Sequence, residues 1–587
     1  MHHIVKKQVF DLTLPAEQNA FELQHRISSY NQQEIISVLQ KVFDEISADD
    51  ENLYIDKLII DLGNISLKKI NSNNWADIIE MELRKQLKNI SATPENKKNF
   101  LRLPKTTSIF RQWMFSMQNG YLPWNSSVVN DTWYTQVLEA IATEHKIADE
   151  LRLELGNNKT VVQRIVLQHA VTFLISLVEL LTAEKQDKLA DVAGEFFSAA
   201  EFLHKKTKKN VTVSKRFIET SVWINILHQI SAVANIAVSA NESNAYKIII
   251  RLIKFFFSKQ QVEIILRSKP ISAKLPVTLT AFKKALEEKN HDPDSQQESS
   301  GNNFFVPTDG KSFQEKVLLK KVQTKKDARA SEHISKTGVI QPTNTDSERI
   351  EKKPADKKVI DKEDIVTKKS LQKKQQSENV EIRPAIPQKN TLHGLESEDK
   401  IKIPVTGGNQ RQNDFITAIG NDEIYIKNAG VILLHPFLNS FFKILGYVNE
   451  GAFVSDYMRL KALYLIHFMA TGETEAQEYD LTIAKIICAY PLEEPVDKVV
   501  ELNEKELQEA DNMITAAIAN WQILKNTSVA GLREGFLQRP GKLFVKNGEL
   551  QLHVEASSID MLLDHLPWNL SIIKLSWMKH ALHVQWR

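Results

Sequence analysis

The sequence predicts an α+β multidomain chain. It reads as a small N-terminal α/β unit over residues 1–96, an all-helical middle over 97–287, a long disordered charged linker over 288–413, and a C-terminal mixed α+β domain over 414–587. Three observations carry this. The 587 residues exceed what one hydrophobic core organises. Apolar spacing switches between the strand and helix periods along the chain. Between Phe313 and Phe415 there is no Phe, Trp or Tyr at all.

The N-terminal unit alternates strand and helix. Ile4–Leu14 places Val9, Phe10, Leu12 and Leu14 before Pro15, which predicts a strand and its stop. Ala16–Ile46 repeats apolar residues at three- and four-residue spacing, from Phe21, Leu23 and Ile27 to Ile35, Val38, Leu39 and Val42, which predicts a helix. Leu53–Leu62 reads LYIDKLIIDL, a strand ending at Gly63. Trp75–Ile90 puts Ile78, Ile79, Leu83 and Leu87 on one helical face. Asp56 and Asp61 are five apart and fall on opposite faces of a regular strand, so solvated strand ends fit them better than metal ligands.

The middle reads as helices over Val161–Leu181, Leu189–His204, Arg216–Ala234 and Ala245–Leu266, preceded by FRQWMFSMQNGYLPWN, where Gly120 and Pro123 end a helix. The tetrapeptide LPWN occurs at 122–125 and again at 566–569. Lys247, Arg251, Lys254 and Ser258 recur at helical intervals. That stripe fits a bundle helix with a solvated basic face better than a helix lying on a membrane. The most apolar stretch, Ile165–Leu181, is interrupted by Gln168, His169 and Glu179 and falls short of a membrane span, so no stable membrane insertion is expected.

The linker is rich in Lys, Glu, Asp, Ser, Gln and Pro and cannot bury enough apolar area to offset an ordering entropy of ~1–2 kcal/mol per residue. Residues 320–374 hold 16 basic and 9 acidic residues. The interleaved acids and missing aromatics argue for a solvated tether and against specific nucleic-acid binding.

In the last domain, Ile424–Leu434 reads IYIKNAGVILL ahead of His435, Pro436 and Phe437. Helices are expected over Phe437–Leu445, Arg459–Ala470, Ile483–Ala489, Glu504–Asn520 and Ile559–His565. Lys542–Lys546 and Glu549–Glu555 flank Asn547 and Gly548, the pair a type I′ hairpin turn favours. Ser571–Leu575 and Ala581–Trp586 alternate as short strands.

Composition bounds the function. Net charge is +2, from 75 basic and 73 acidic residues, which favours no partner by bulk charge. The lone cysteine, Cys488, lies in IAKIICAYPL and reads as a small buried hydrophobe; one cysteine builds neither an intrachain disulfide nor a thiolate metal cluster. MHHIVKKQVFDL lacks the apolar core of a signal peptide, and its His2–His3 pair is a weak metal signal. There is no phosphate-binding G-x-x-x-x-G-K-[ST], no G-x-S-x-G and no H-E-x-x-H. His435 fits a core or turn histidine better than a base. Asp560, Asp564 and His565 cluster on one helix without enough ligands for a metal. No catalytic residue, cofactor or metal is therefore expected.

Two stretches are denser in shape-fixing residues than any other. Residues 525–543 read KNTSVAGLREGFLQRPGKL and residues 566–578 read LPWNLSIIKLSWM. Together with the intervening hairpin and acidic helix they resemble the C-terminal signature of contractile injection system tape measure proteins, components of phage-tail-like particles. The likeness is strong over 425–587, moderate over 100–181, where the helix followed by G-x-LPW is similar, and loose over the first ninety residues, where IDKLIIDLG is similar. The resemblance implies a non-enzymatic bacterial assembly protein that helps set tail tube length and joins the tube to a baseplate or cap. The resemblance also implies a cytoplasmic location during assembly, with a place inside the tube of the finished particle as an option. The implied partners are tail tube subunits, a baseplate hub and tube terminator or cap proteins, with loaded cargo and several copies per particle as further options. Partner-binding residues are expected in the signature: Arg533, Glu534, Phe536, Arg539, Trp568 and Trp577. Two Arg around one Glu suit a bidentate network that either fixes the loop or meets a partner carboxylate.

Length sets a physical test. A fully helical chain of 587 residues reaches at most roughly 880 Å. Residues 314–414 span about 330 Å fully extended, but as a free coil their ends average about 60 Å apart. A ruler therefore needs something to hold it extended, or several copies. A tether or chaperone that binds cargo or tube subunits through the basic linker is the competing reading. An unrecognised enzyme using the Arg533–Glu534 loop is a third.

Overall fold

The computed structural model describes residues 3–14, 20–65, 75–92, 100–126, 129–186, 188–207, 214–233, 244–290 and 415–586, all within one compact unit of mixed helix and sheet. The linker expected over 288–413 lies outside them, apart from 288–290, which close the helix Leu279–Asn290.

At the N-terminus, helical residues Ala20–Ile46 run through one π-type turn, Asn31–Ile35, and pack on the helix Ala76–Ala92. Strand β1 (Glu51–Ile55) pairs antiparallel with β2 (Phe100–Pro104), from Glu51 opposite Pro104 to Ile55 opposite Phe100. This corrects two expectations. The strand at Leu53–Leu62 ends at Ile55, where its five-residue partner ends. Residues 3–14 form no strand. Their alternation is used by side chains: Phe10, Leu12 and Leu14 pack on a small core of Leu23, Ile27, Tyr30 and Trp75, while the backbone has no ladder partner. Asp61 is exposed and accepts from the Gly63 amide at 2.8 Å, a local turn contact.

The middle is helical, with two breaks inside segments read as continuous. Val161–Leu181 is two helices, Lys159–Gln168 and Val171–Thr182, because His169 is extended and its ring wedges among Trp113, Tyr134 and Phe173. Ala245–Leu266 is likewise two helices, Asn244–Phe256 and Lys259–Arg267. Ser258 caps the second through a reciprocal box with Gln261. Helices Asp131–Thr143 and His145–Asn157, unassigned from sequence, surround a core that includes Trp113, Trp133, Phe196 and Trp223.

The C-terminal region is built on a five-stranded sheet of order β3-β6-β7-β9-β8, where β3 is Ile424–Ile426, β6 Gly541–Lys546, β7 Glu549–Val554, β8 Ile572–Ile573 and β9 Leu582–Trp586. A separate pair, β4 (Val448–Asn449) and β5 (Ala452–Phe453), lies apart. Asn547 and Gly548 carry φ of 54° and 77°, as a type I′ turn requires, and set Lys546 opposite Glu549. The connection from β7 to β9 crosses over, so those two strands run parallel. Helices Asp456–Thr471 and Glu504–Asn520 pack together; the second begins with an Asn503–Glu506 capping box. Its core is distinct from that of the helical middle, and among the described residues Tyr121 is the one buried apolar side chain that the middle contributes to it.

Candidate functional site

The signature loop is built around the end of another helix. Ser528 caps the short helix Val529–Leu532, which widens into a π-type turn over Arg533–Leu537. That turn aims Arg533 at the C-terminus of the helix Asp456–Thr471. Its Nε donates to the Met469 carbonyl at 3.1 Å, and Nη2 donates to the Phe468 carbonyl at 3.3 Å and to Asp511 Oδ1 at 2.8 Å. Its guanidinium lies 5.2 Å from the Phe468 ring centre. Gln538 donates to the Ala470 carbonyl at 3.1 Å, and Gly472 takes the left-handed cap position at φ 84°. A cation and an amide thus satisfy carbonyls that a helix end leaves unpaired.

Arg539 is buried. It donates to the carbonyls of Gly535 at 3.3 Å and Glu555 at 2.6 Å and pairs with Asp560 Oδ2 at 3.1 Å. Asp560 also accepts from the Ser557 amide at 2.8 Å, so the same carboxylate starts the 3-10 segment Ser558–His565. Phe536 is buried edge-on to Trp521. Trp568 and Trp577 are half-buried. Their indoles donate to the Leu433 carbonyl at 3.1 Å and the Ile487 carbonyl at 2.8 Å. Glu534 is exposed. Of the six residues expected to meet a partner, five are held by contacts inside the chain, and Glu534 faces solvent.

Backbone proximity explains why glycine recurs here. A Cβ on Gly430 would fall 1.7 Å from the Phe536 carbonyl oxygen, and one on Gly541 would fall 2.5 Å from Ala429 Cβ. The Ala429–Leu434 turn lies directly against the signature loop, and the Ala429 amide donates to the Arg539 carbonyl at 2.8 Å.

A second constellation escaped sequence reading. Arg164, on the helix Lys159–Gln168 and fully buried, meets Glu478 of the C-terminal region through Nε at 2.8 Å and Nη2 at 3.2 Å. Nη1 donates to the carbonyls of Met117 and Gln118 at 2.5 and 3.0 Å, and Nη2 also donates to Glu493 O at 2.9 Å. All five guanidinium hydrogens are used. Buried Lys485 places its three on Glu478 Oε1 at 2.6 Å, Leu492 O at 3.0 Å and Glu494 O at 2.8 Å. Two cations around one carboxylate leave an excess positive charge, which those carbonyls and the helix end at Met117–Gln118 offset. Burial holds the Lys485 ammonium below its usual pKa, against the pull of Glu478.

The neighbours join the same two regions. Gln168 donates to Val496 O at 2.7 Å and accepts from the Glu478 amide at 2.8 Å, and the Lys498 amide donates to Leu167 O at 3.1 Å. Arg216 grips Asp497 with both ends of its fork, at 2.9 and 2.6 Å. Tyr121 donates to Asp422 Oδ2 at 3.2 Å; burial first, then that carboxylate, push its phenol up to about 12. The glycine of the G-x-LPW motif belongs here as well. Gly120 sits at φ 81°, and a Cβ on it would fall 2.6 Å from Glu478 Oε1.

The available signal was a lone charge in an apolar stretch: Arg164 in VVQRIV and Lys485 in IAKIIC. The partners could not be paired from sequence, since Arg164 and Glu478 are 314 residues apart.

Other candidates resolve into structure. His435 Nδ1 donates locally to the Ile432 carbonyl at 3.0 Å, and burial lowers its pKa. Cys488 is buried, which pushes its thiol up. Asp564 and His565 are exposed beside buried Asp560, and among the described residues no group of three His, Cys, Asp or Glu side chains converges on a point. No helix among them is long and apolar enough to cross a membrane.

The motifs singled out above are held largely by contacts within the chain. The family model for contractile injection system tape measure proteins matches residues 2–586. The chain belongs to that family, a structural and not a catalytic one. No curated protein and no solved structure matches it.

Proposed function

We propose that this chain helps set the length of the tail tube and joins the tube to a baseplate hub or to a terminator or cap protein. It acts in the cytoplasm during assembly and lies within the tube, and it does so without catalysis. The observation that carries the reading is the match of essentially the whole chain to the tape measure family. Partner contact at the signature loop falls to Glu534 and to the open sides of Arg533, Trp568 and Trp577, because Phe536 and Arg539 are enclosed.

The test is a deletion of about 40 residues inside 320–400, with particle length measured by electron microscopy. A measuring linker shortens the tube in a narrow, shifted distribution, by at most about 130 Å if the missing segment is extended and about 60 Å if helical. Unchanged length across several deletion sizes removes the linker as the measuring element and leaves the helical middle.

One observation favours the second reading, a tether or chaperone for cargo or tube subunits. Asn290 and Phe415, which border residues 291–414, belong to one compact unit. On that reading the deletion leaves length alone and changes cargo loading or assembly yield.

A further inference from the structure

We propose that the surface centred on Arg164 and Glu478 is a latch whose partner is the other half of this same chain. It holds residues 100–290 and 415–586 together, and it parts as a unit without dissolving either side. Three observations argue for this.

First, each side owns a hydrophobic core. One contains Trp113, Trp133, Phe196 and Trp223; the other contains Phe442, Tyr464, Trp521 and Leu543. Buried Tyr121 and half-buried Phe115 cross from the middle into the second core, and Tyr134 meets Tyr479.

Second, a run of polar contacts joins them. Arg164, Gln168, Arg216 and the Leu167 carbonyl on one side meet Glu478, Val496, Asp497 and Lys498 on the other. Contacts between regions of one chain that are polar in this way are the ones that separate, whereas shared apolar cores do not.

Third, the network is complete. Every N–H of Arg164 and of Lys485 has an acceptor. A buried ion network contributes little net stability over apolar packing, but losing one member is costly, so it behaves as all or none. Lys485 keeps Glu478 paired on the C-terminal side when Arg164 leaves, so the open state strands no lone buried carboxylate there.

A consequence follows that rests on the tape measure reading. While the latch is closed, Asn290 and Phe415, which border residues 291–414, belong to one body. Only with the latch open does the contour of residues 291–414, roughly 410 Å fully extended, separate two bodies. Length-setting by the linker therefore needs an opened latch.

The test uses the full chain with a sequence-specific protease site inserted near residue 340. After cutting, the two pieces of the otherwise wild-type chain are expected to co-elute from a sizing column as one species of about 67 kDa. Arg164→Met removes the cation and leaves Lys485 on Glu478; it should weaken association of the cut pieces by at least about a hundredfold. Arg216→Glu sets like charges at the half-exposed rim, where folding is safe, and should weaken it by about tenfold. The released pieces should keep native circular dichroism and melt cooperatively. Separation of the otherwise wild-type pieces at micromolar concentration overturns the latch as a holding device. Persistent association in both variants overturns the network as its basis. Unfolding of the pieces on release shows one welded core. None of these readouts depends on particle length, so they fail independently of the deletion series.

Discussion

Acid should weaken the helical middle through one histidine, and the size of the effect can be worked out. His169 Nε2 lies 3.0 Å from the Trp113 indole N–H, and Nδ1 lies 2.8 Å from the Ile165 carbonyl. An indole N–H only donates, so Nε2 must accept and Nδ1 must carry the proton: the ring is held neutral. Burial lowers its pKa to about 4 from 6.5, with nearby Lys498 acting in the same direction and the Ile165 carbonyl opposing. The unfolded chain thus takes up a proton that the folded chain refuses. Stability is whole above about pH 6.5 and is lost as pH falls toward 4. The loss is about 2 kcal/mol at pH 5 and reaches about 3 kcal/mol below pH 4. His467, buried and lowered to about 4, adds a second loss of the same sign, whereas half-buried Asp480, whose pKa is raised by desolvation, opposes it. The informative quantity is therefore a difference. Urea unfolding of wild type and His169→Gln, followed by circular dichroism at pH 7, 6 and 5, should show the variant less stable at pH 7 and less pH-dependent by about one proton. Parallel curves would refute the neutral, indole-bound ring.

Four further outcomes follow from the geometry. Arg533→Ala should cost the C-terminal domain roughly 1–3 kcal/mol in chemical unfolding, because three acceptors lose a charged donor. Trp568→Ala, half-buried, should cost roughly 2–3 kcal/mol by the same assay, below the full range for an enclosed Trp; a neutral result for both means the signature does not brace the fold. Gly430→Ala should lower the melting temperature or abolish soluble protein, since its Cβ would overlap the Phe536 carbonyl; normal melting contradicts that packing. Cys488 should resist thiol reagents in native buffer and react at once in denaturant; fast native labelling would contradict its burial.

What the sequence showed and hid follows a physical line. Local chemistry was legible. Asn547–Gly548 specified a turn within four residues of itself, and the helix Glu504–Asn520 came out with both ends correct, because Asn503 and Glu506 mark its start. Tertiary substitution was not. Residues 4–14 have strand alternation, yet their side chains pack while β1 pairs with β2. His169 ends a helix by reaching an indole 56 residues away, which no periodicity reports. In the signature, the presence of organising residues was evident, but their direction was not: Arg533 and Arg539 point at a helix end and at Asp560, not outward.

This bears on what a family signature means. A loop that caps one helix through Arg533, starts a 3-10 segment through Arg539 and Asp560, and lies against Gly430 without room for a methyl group is constrained by its own interior. Such a motif would be retained whatever the partner, since most substitutions would first damage the fold. Near the signature, Glu534, Ile559, Met561 and Ile572 are the side chains left exposed. The same logic applies to G-x-LPW. Gly120 clears space for Arg164 and Glu478, and Tyr121 crosses into the second core. Both motifs are therefore instructions for building and joining two halves.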